Sequence, residues 1–116
     1  MSDQSMEEFY QSLKIEREKK EKLYTLERIK CSELGIRYSW IIDMLDDMKM
    51  VIKSAKQNNM ITGNEKNVLI HYLELELVVR KKLSDFLEKE FYKSQNRLAD
   101  LKKELEKLDY LSFKVF

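Results

Sequence analysis

The chain has 116 residues, and its 22 Lys and Arg nearly balance its 21 Asp and Glu, which leaves a formal net charge of +1. This balance gives no overall field that would attract nucleic acid or an anionic bilayer, and no window reaches the roughly 18 consecutive apolar residues of a membrane span. The hydrophobic fraction of 43% is too high for a disordered chain. We therefore expect a single folded domain over residues 1–116, without a membrane span.

The cellular compartment is indicated by the cysteine content and the N-terminal residues. Cys31 is the only cysteine in the sequence, so no disulfide can form within the chain. The first four residues lack a basic segment followed by an apolar stretch, which is the pattern of a secretory leader. Both observations favour a reducing compartment, and we expect a cytoplasmic protein.

The first helix is indicated by a capping signal near the N-terminus. Proline is absent and glycine occurs twice, so helices can end at few places along this chain. Ser5 and Glu8 have the spacing of a capping box, which predicts a helix over about 6–34. The middle of this helix is mostly charged, and pairs such as Glu16 with Lys20 stabilise such a stretch by about 0.2–0.5 kcal/mol each.

Gly35 marks a change from this charged stretch to an apolar series at three- and four-residue spacing. Glycine at a helix end permits a turn, whereas glycine inside a helix costs only about 1 kcal/mol relative to alanine. We expect a kink or a short break here, followed by a second helix over about 37–57.

A turn followed by a long helix is predicted in the second half of the chain. Asparagine and glycine cluster at about 58–64, and Thr62 with Glu65 makes a second capping box. Nothing stops a helix over about 65–111. The C-terminal half of this helix has a heptad pattern typical of a two-stranded coiled coil, at Leu87, Phe91, Ser94, Leu98, Leu101, Leu105 and Leu108. Its first half is apolar around most of the circumference, so it needs cover on more than one side.

These elements predict an all-α fold: a long antiparallel hairpin of two or three helices with coiled-coil character that assembles into a helical bundle. One hairpin partner covers one face of each helix, so the second apolar faces need another chain or the first helix folded back. We expect the partner to be a helix of another protein, a second copy in a dimer, or both. The predicted apolar interface set is Trp40, Ile41, Met44, Leu45, Met48, Val51, Leu73, Leu77 and Phe86.

Two groups of polar residues could hold a metal, and each has a simpler structural interpretation. Asp43, Asp46 and Asp47 share a helix face and could bind Mg²⁺ or Ca²⁺, but solvated or salt-bridged aspartates are the favoured interpretation. His71 with Glu74 could supply two ligands, although no second pair completes a site. A packed or surface histidine is favoured.

Nucleophilic chemistry has equally little support. Cys31 could be a nucleophile or a redox sensor, but a cysteine on an apolar helix edge is usually a core residue. The sequence has neither a glycine-rich phosphate loop nor a hydrolase signature. We predict no catalytic residue, no metal and no cofactor.

Three hypotheses for function follow. The leading one is a non-enzymatic protein–protein interaction module, such as an adaptor, assembly factor or export-type chaperone, that acts through apolar helix faces. The second is a regulatory protein that contacts nucleic acid through Lys19, Lys20 and Lys22 of the first helix. Nucleic acid is the less favoured partner, because interleaved glutamates cancel the positive field. The third is a small metal-dependent helical enzyme with a site between subunits.

Overall fold

Two long α-helices make up nearly all of the protein in the computed structural model, which describes residues 3–115. Helix α1 is Asp3–Gln57 and helix α2 is Gly63–Val115, and no strand occurs within the described residues. The two helices pack as an antiparallel hairpin, which confirms the predicted all-α hairpin. The predicted third helix, about 65–111, corresponds to α2. Neither helix, over the residues described, has a stretch long and apolar enough to cross a membrane.

Helix α1 passes through Gly35 without a break, so the separate helices predicted over about 6–34 and 37–57 are one helix. Gly35 lies against the opposite helix, where a Cβ atom added to it would be 3.1 Å from Cε2 of Phe91. The absence of a side chain therefore lets the aromatic ring approach the backbone of α1. The short break predicted here is wrong because this glycine serves packing between helices, which outweighs a propensity cost of about 1 kcal/mol.

The connection between the helices, residues 58–62, lies within the predicted turn. The side-chain Oδ1 of Asn58 accepts a hydrogen bond from the backbone N–H of Met60 at 2.9 Å. Its backbone carbonyl accepts a second one from Nζ of Lys66 at 3.1 Å. Helix α2 then begins at Gly63 with a φ of 69°, a left-handed value that glycine adopts without strain. Local polar contacts thus fix the turn.

Each helix directs one continuous heptad series toward the other, and we name these two series the inner seam. Its positions alternate by four and three residues, and every member is buried or half-buried. On α1 the inner seam is Leu13, Arg17, Lys20, Tyr24, Glu27, Cys31, Leu34, Tyr38, Ile41, Leu45, Met48, Ile52 and Ala55. On α2 it is Lys66, Ile70, Leu73, Leu77, Arg80, Ser84, Leu87, Phe91, Ser94, Leu98, Leu101, Leu105 and Leu108. The heptad predicted in the second half of α2 is part of this series.

The contacts of the chain divide into two compact units. The terminal unit contains residues 3–32 and 92–115, and its inner seam includes charged side chains on α1. The turn unit is residues 33–91, and its inner seam is apolar on α1, apart from the hydroxyl of Tyr38. The most deeply buried apolar side chains of the turn unit are Ile41, Leu45, Ile52 and Leu87. That the whole chain forms a single domain stays a prediction.

Candidate protein interaction surface

Within the turn unit, α2 carries a second heptad series outside the inner seam, and we name it the outer seam. The outer seam consists of Glu65, Val68, Tyr72, Leu75, Val79, Lys82, Phe86 and Lys89. Its spacing alternates by three and four residues, as in the inner seam. At about 100° per residue, its centre lies roughly 150° around the helix from the centre of the inner seam. The outer seam therefore lies on the side of α2 that faces away from α1.

All five apolar members of the outer seam are exposed, from 50% for Leu75 to 67% for Tyr72. Leu69 and Leu83 flank the seam and are also exposed. Single exposed apolar side chains are ordinary on a protein surface, but a contiguous series is typical of an interaction site. At 1.5 Å per residue the series is about 36 Å long, which is enough to contact another helix over several turns.

The pairing of the two helices shows that the apolar surface extends from α2 onto one side of α1. Lys56 and Glu74 each directly follow an inner-seam residue, and they form an ion pair at 3.1 Å across the turn unit. Residues that directly precede inner-seam residues must then lie on the other side of the hairpin. Met44 of α1, with Leu69 and Leu83 of α2, are such residues. The apolar surface on that side therefore includes both helices of the turn unit.

Helix α1 adds the largest exposed aromatic side chain to this surface. Trp40 is 68% exposed and directly precedes Ile41 of the inner seam. Met44 follows one turn later and contacts the guanidinium of Arg80 through its sulfur. Val51, also exposed, lies on the same side. Asp47 separates Met44 from Val51 on α1, as Lys82 separates Val79 from Phe86 in the outer seam.

The structure divides the nine residues of the predicted interface set into two groups. Five of them belong to the inner seam and pack within the hairpin: Ile41, Leu45, Met48, Leu73 and Leu77. The other four are exposed: Trp40, Met44, Val51 and Phe86. The sequence pattern did not separate Val68, Tyr72, Leu75 and Val79 into a set of their own. Two heptads overlap between residues 68 and 79, and only the three-dimensional pairing shows which one faces α1.

The residues considered for metal chemistry are exposed on the surfaces of the two helices. Asp43, Asp46 and Asp47 are exposed on α1. His71 and Glu74 are exposed on α2, where Glu74 is the ion-pair partner of Lys56 described above. Over the described residues there is no group of three or more His, Cys, Asp or Glu side chains that could hold a metal ion.

The single cysteine occupies a structural position. Cys31 is a free thiol, buried in the inner seam of the terminal unit. Its 8% exposure and its heptad position agree with the interpretation as a core residue.

In the terminal unit, charged residues of the inner seam bind partners on the opposite helix. Nε of Arg17 lies 2.5 Å from Oδ1 of Asp109, and Nζ of Lys20 lies 2.9 Å from Oε2 of Glu104. Each carboxylate raises the pKa of its basic partner, first through the hydrogen bond and then through its charge. Lys20, one of three lysines in the nucleic-acid hypothesis, is therefore paired within the hairpin, whereas Lys19 is exposed.

A second polar cluster of the terminal unit is centred on Glu27. The Ser94 hydroxyl and Nε of Arg97 both donate to Oε1 of Glu27, at 2.6 and 2.9 Å. The hydrogen bond from Ser94 is the largest of the effects that lower the pKa of Glu27. Arg97 and Lys30 lower it further, and partial burial opposes them. These charged pairs align the helices, in the way that polar residues at seam positions select one register.

Comparisons with protein-family models, curated proteins and solved structures find no match. The arrangement of side chains is therefore the basis for the functional argument below.

Proposed function

We propose that this protein is a non-enzymatic protein–protein interaction module and that the outer seam of α2 is its binding surface. The observation that supports the proposal is the exposed heptad series from Val68 to Phe86, in a hairpin whose inner seam is already filled. A second apolar heptad does not stabilise the hairpin by facing water. It becomes stabilising when another surface covers it.

The energy for binding would come from burial of these side chains. Burying a Val, Leu or Phe side chain completely contributes about 1.5–3 kcal/mol. Tyr72, Val79 and Phe86 are each more than half exposed, so much of this energy is still available to a partner. Trp40 at the edge of the surface is a further residue of the kind that dominates binding energy at interfaces.

The spacing of the outer seam fits a helix better than other partners. Alternation by three and four residues places side chains in one line along α2, where they insert between side chains of a facing helix. The charged ends, Glu65 and Lys89, would select the direction and register of that helix. The role would be that of an adaptor, an assembly factor or an export-type chaperone. We place it in the cytoplasm, where the thiol of Cys31 stays reduced.

Two adjacent valines provide a matched test of the surface. Val79 belongs to the outer seam, whereas Val78 shares its helix side with His71 and Asp85, seven residues before and after it. Both are exposed, at 64% and 51%. The photo-crosslinking amino acid p-benzoylphenylalanine can be placed at either position. On irradiation of the cells that produce the protein, it reacts with whatever protein contacts that position.

We expect a discrete protein adduct from position 79 and little from position 78. Mass spectrometry of the adduct then identifies the partner. Equal labelling from the two positions, or no adduct from either, would contradict the assignment of the outer seam as a binding surface.

A further inference from the structure

We propose that the partner of the outer seam is the outer seam of a second copy of this chain, with the two α2 helices antiparallel. This inference rests on the proposed function and names the partner of the same surface. The supporting observation is the order of charged and apolar residues along the outer seam. The seam read from Glu65 to Lys89 is complementary to the same seam read from Lys89 to Glu65.

When two outer seams lie antiparallel with full overlap, their eight positions form four kinds of facing pair, and the two residues of each pair are different amino acids. With full overlap, Val68 faces Phe86 of the second copy and Leu75 faces Val79 of the second copy. Each pair occurs twice because the arrangement has two-fold symmetry. All five apolar members then lie against the second copy, so no part of the exposed heptad is left uncovered.

The charged members favour the antiparallel direction over the parallel one. In the antiparallel pairing, Glu65 at one end of the seam faces Lys89 of the second copy at the other end. In a parallel pairing Glu65, Lys82 and Lys89 would each face the identical residue of the second copy. Like charges directly opposite each other destabilise a helix pair, and opposite charges stabilise it. Neither Glu65 nor Lys89 forms an ion pair within the described residues, so both are available.

The one lysine inside the seam also has a suitable neighbour in this arrangement. Lys82 faces Tyr72 of the second copy, where its alkyl stem covers the ring and its ammonium group reaches the ring face or solvent. A shift by one heptad, which would pair Glu65 with Lys82, leaves Phe86 and Lys89 without facing residues. The full-overlap register is therefore the one that uses the whole outer seam.

Single-cysteine variants test the direction of the pairing. Val68→Cys and Phe86→Cys are each introduced into a Cys31→Ala background, so that each protein has one cysteine. Three samples are treated with a short bis-maleimide: each variant separately, and a mixture of the two. Positions 68 and 86 are 18 residues apart, or about 27 Å along one helix. We expect covalent dimers in the mixture and few in either protein alone. Efficient cross-linking of Val68→Cys alone would show a parallel pairing, and no cross-linking in any sample would show that the seams do not meet.

Charge reversal tests the register without removing apolar contacts. Glu65→Lys and Lys89→Glu should each weaken dimerisation by about threefold to thirtyfold, because two attractive pairs become repulsive in each symmetric dimer. The double variant, Glu65→Lys with Lys89→Glu, restores opposite charges at both ends and should restore most of the affinity. Circular dichroism at matched concentration checks that the hairpin stays helical.

The outcomes separate this inference from the proposed function. A double variant no tighter than the single variants would overturn the antiparallel register. An adduct from position 79 that contains a different protein would overturn the second copy as partner while supporting the outer seam as a binding surface. No adduct at all would overturn both.

Discussion

The hydroxyl of Ser94 donates a 2.6 Å hydrogen bond to Oε1 of Glu27, across the hairpin of the terminal unit. Ser94 is the most completely buried side chain of the described residues, at 0% exposure, and it occupies an inner-seam position between Phe91 and Leu98. Arg97 donates to the same carboxylate oxygen. A polar side chain is acceptable at this depth because its hydrogen-bonding capacity is used.

Replacement of Ser94 by alanine should destabilise the protein by about 1 kcal/mol, because a hydrogen bond to a charged acceptor is lost in a half-buried setting. The measurement is urea unfolding followed by circular dichroism. Ser54→Ala is the matched control, since Ser54 is exposed on α1 and should change stability by less than about 0.5 kcal/mol. Equal stabilities of the two variants would argue that the Ser94 hydrogen bond contributes nothing.

Glu27 should also give the stability a dependence on pH. The pKa of Glu27 is lowered in the folded chain, so its ionised form stabilises the fold above its unfolded pKa of about 4.5. That contribution is lost as pH falls through the lower folded pKa. Glu27→Gln should therefore be less stable than the wild type at pH 7, with a difference that shrinks below about pH 4.5. Unfolding curves of the two proteins from pH 7 to pH 2.5 test this, and a constant difference would contradict it.

The contact of Gly35 with Phe91 predicts a size limit at position 35. Gly35→Ala should change stability by less than about 1 kcal/mol, because a gain in helix propensity offsets a close contact with the ring. Gly35→Leu should cost about 1–3 kcal/mol through overpacking. In a Phe91→Ala background, the same leucine should be tolerated much better. A double-mutant cycle measures this coupling, and additive effects would show that the two positions do not interact.

Adjacent residues of α1 should differ sharply in their effect on folding. Ile41 is buried in the inner seam, so Ile41→Ala should cost about 2–5 kcal/mol. Trp40 is largely exposed, so Trp40→Ala should cost less than about 1 kcal/mol when unfolding is measured at a concentration where single chains dominate. A large loss of stability in Trp40→Ala under these conditions would place Trp40 in the folding core instead.

The hairpin itself is predictable from local signals in the sequence. The absence of proline and the cluster of asparagine and glycine before Glu65 leave one place for the chain to turn, and the heptad from Leu87 to Leu108 indicates the packing. The continuity of α1 at Gly35 is not predictable in this way. It depends on the ring of Phe91, which is 56 residues later in the sequence.

The charged part of the inner seam was also hidden from sequence reasoning. Arg17 and Lys20 belong to a stretch that has the composition of a solvated helix, and their partners Asp109 and Glu104 lie more than 80 residues later. Local patterns show which residues are polar, but they do not show which polar residues meet across a hairpin. For the same reason, the sequence did not show which of the two overlapping heptads in α2 faces α1 and which remains exposed.

The most direct test of the central claim is the solution mass of the wild type, Val79→Glu and Val78→Glu, measured by light scattering after size exclusion over a concentration series. Association would bury a carboxylate at position 79 without a partner, which costs free energy and opposes the dimer. A carboxylate at position 78, beside the outer seam, would stay in solvent. We expect twice the 14.1 kDa chain mass for the wild type and Val78→Glu, and the single-chain mass for Val79→Glu. The same mass for the wild type and Val79→Glu at every concentration would contradict the account.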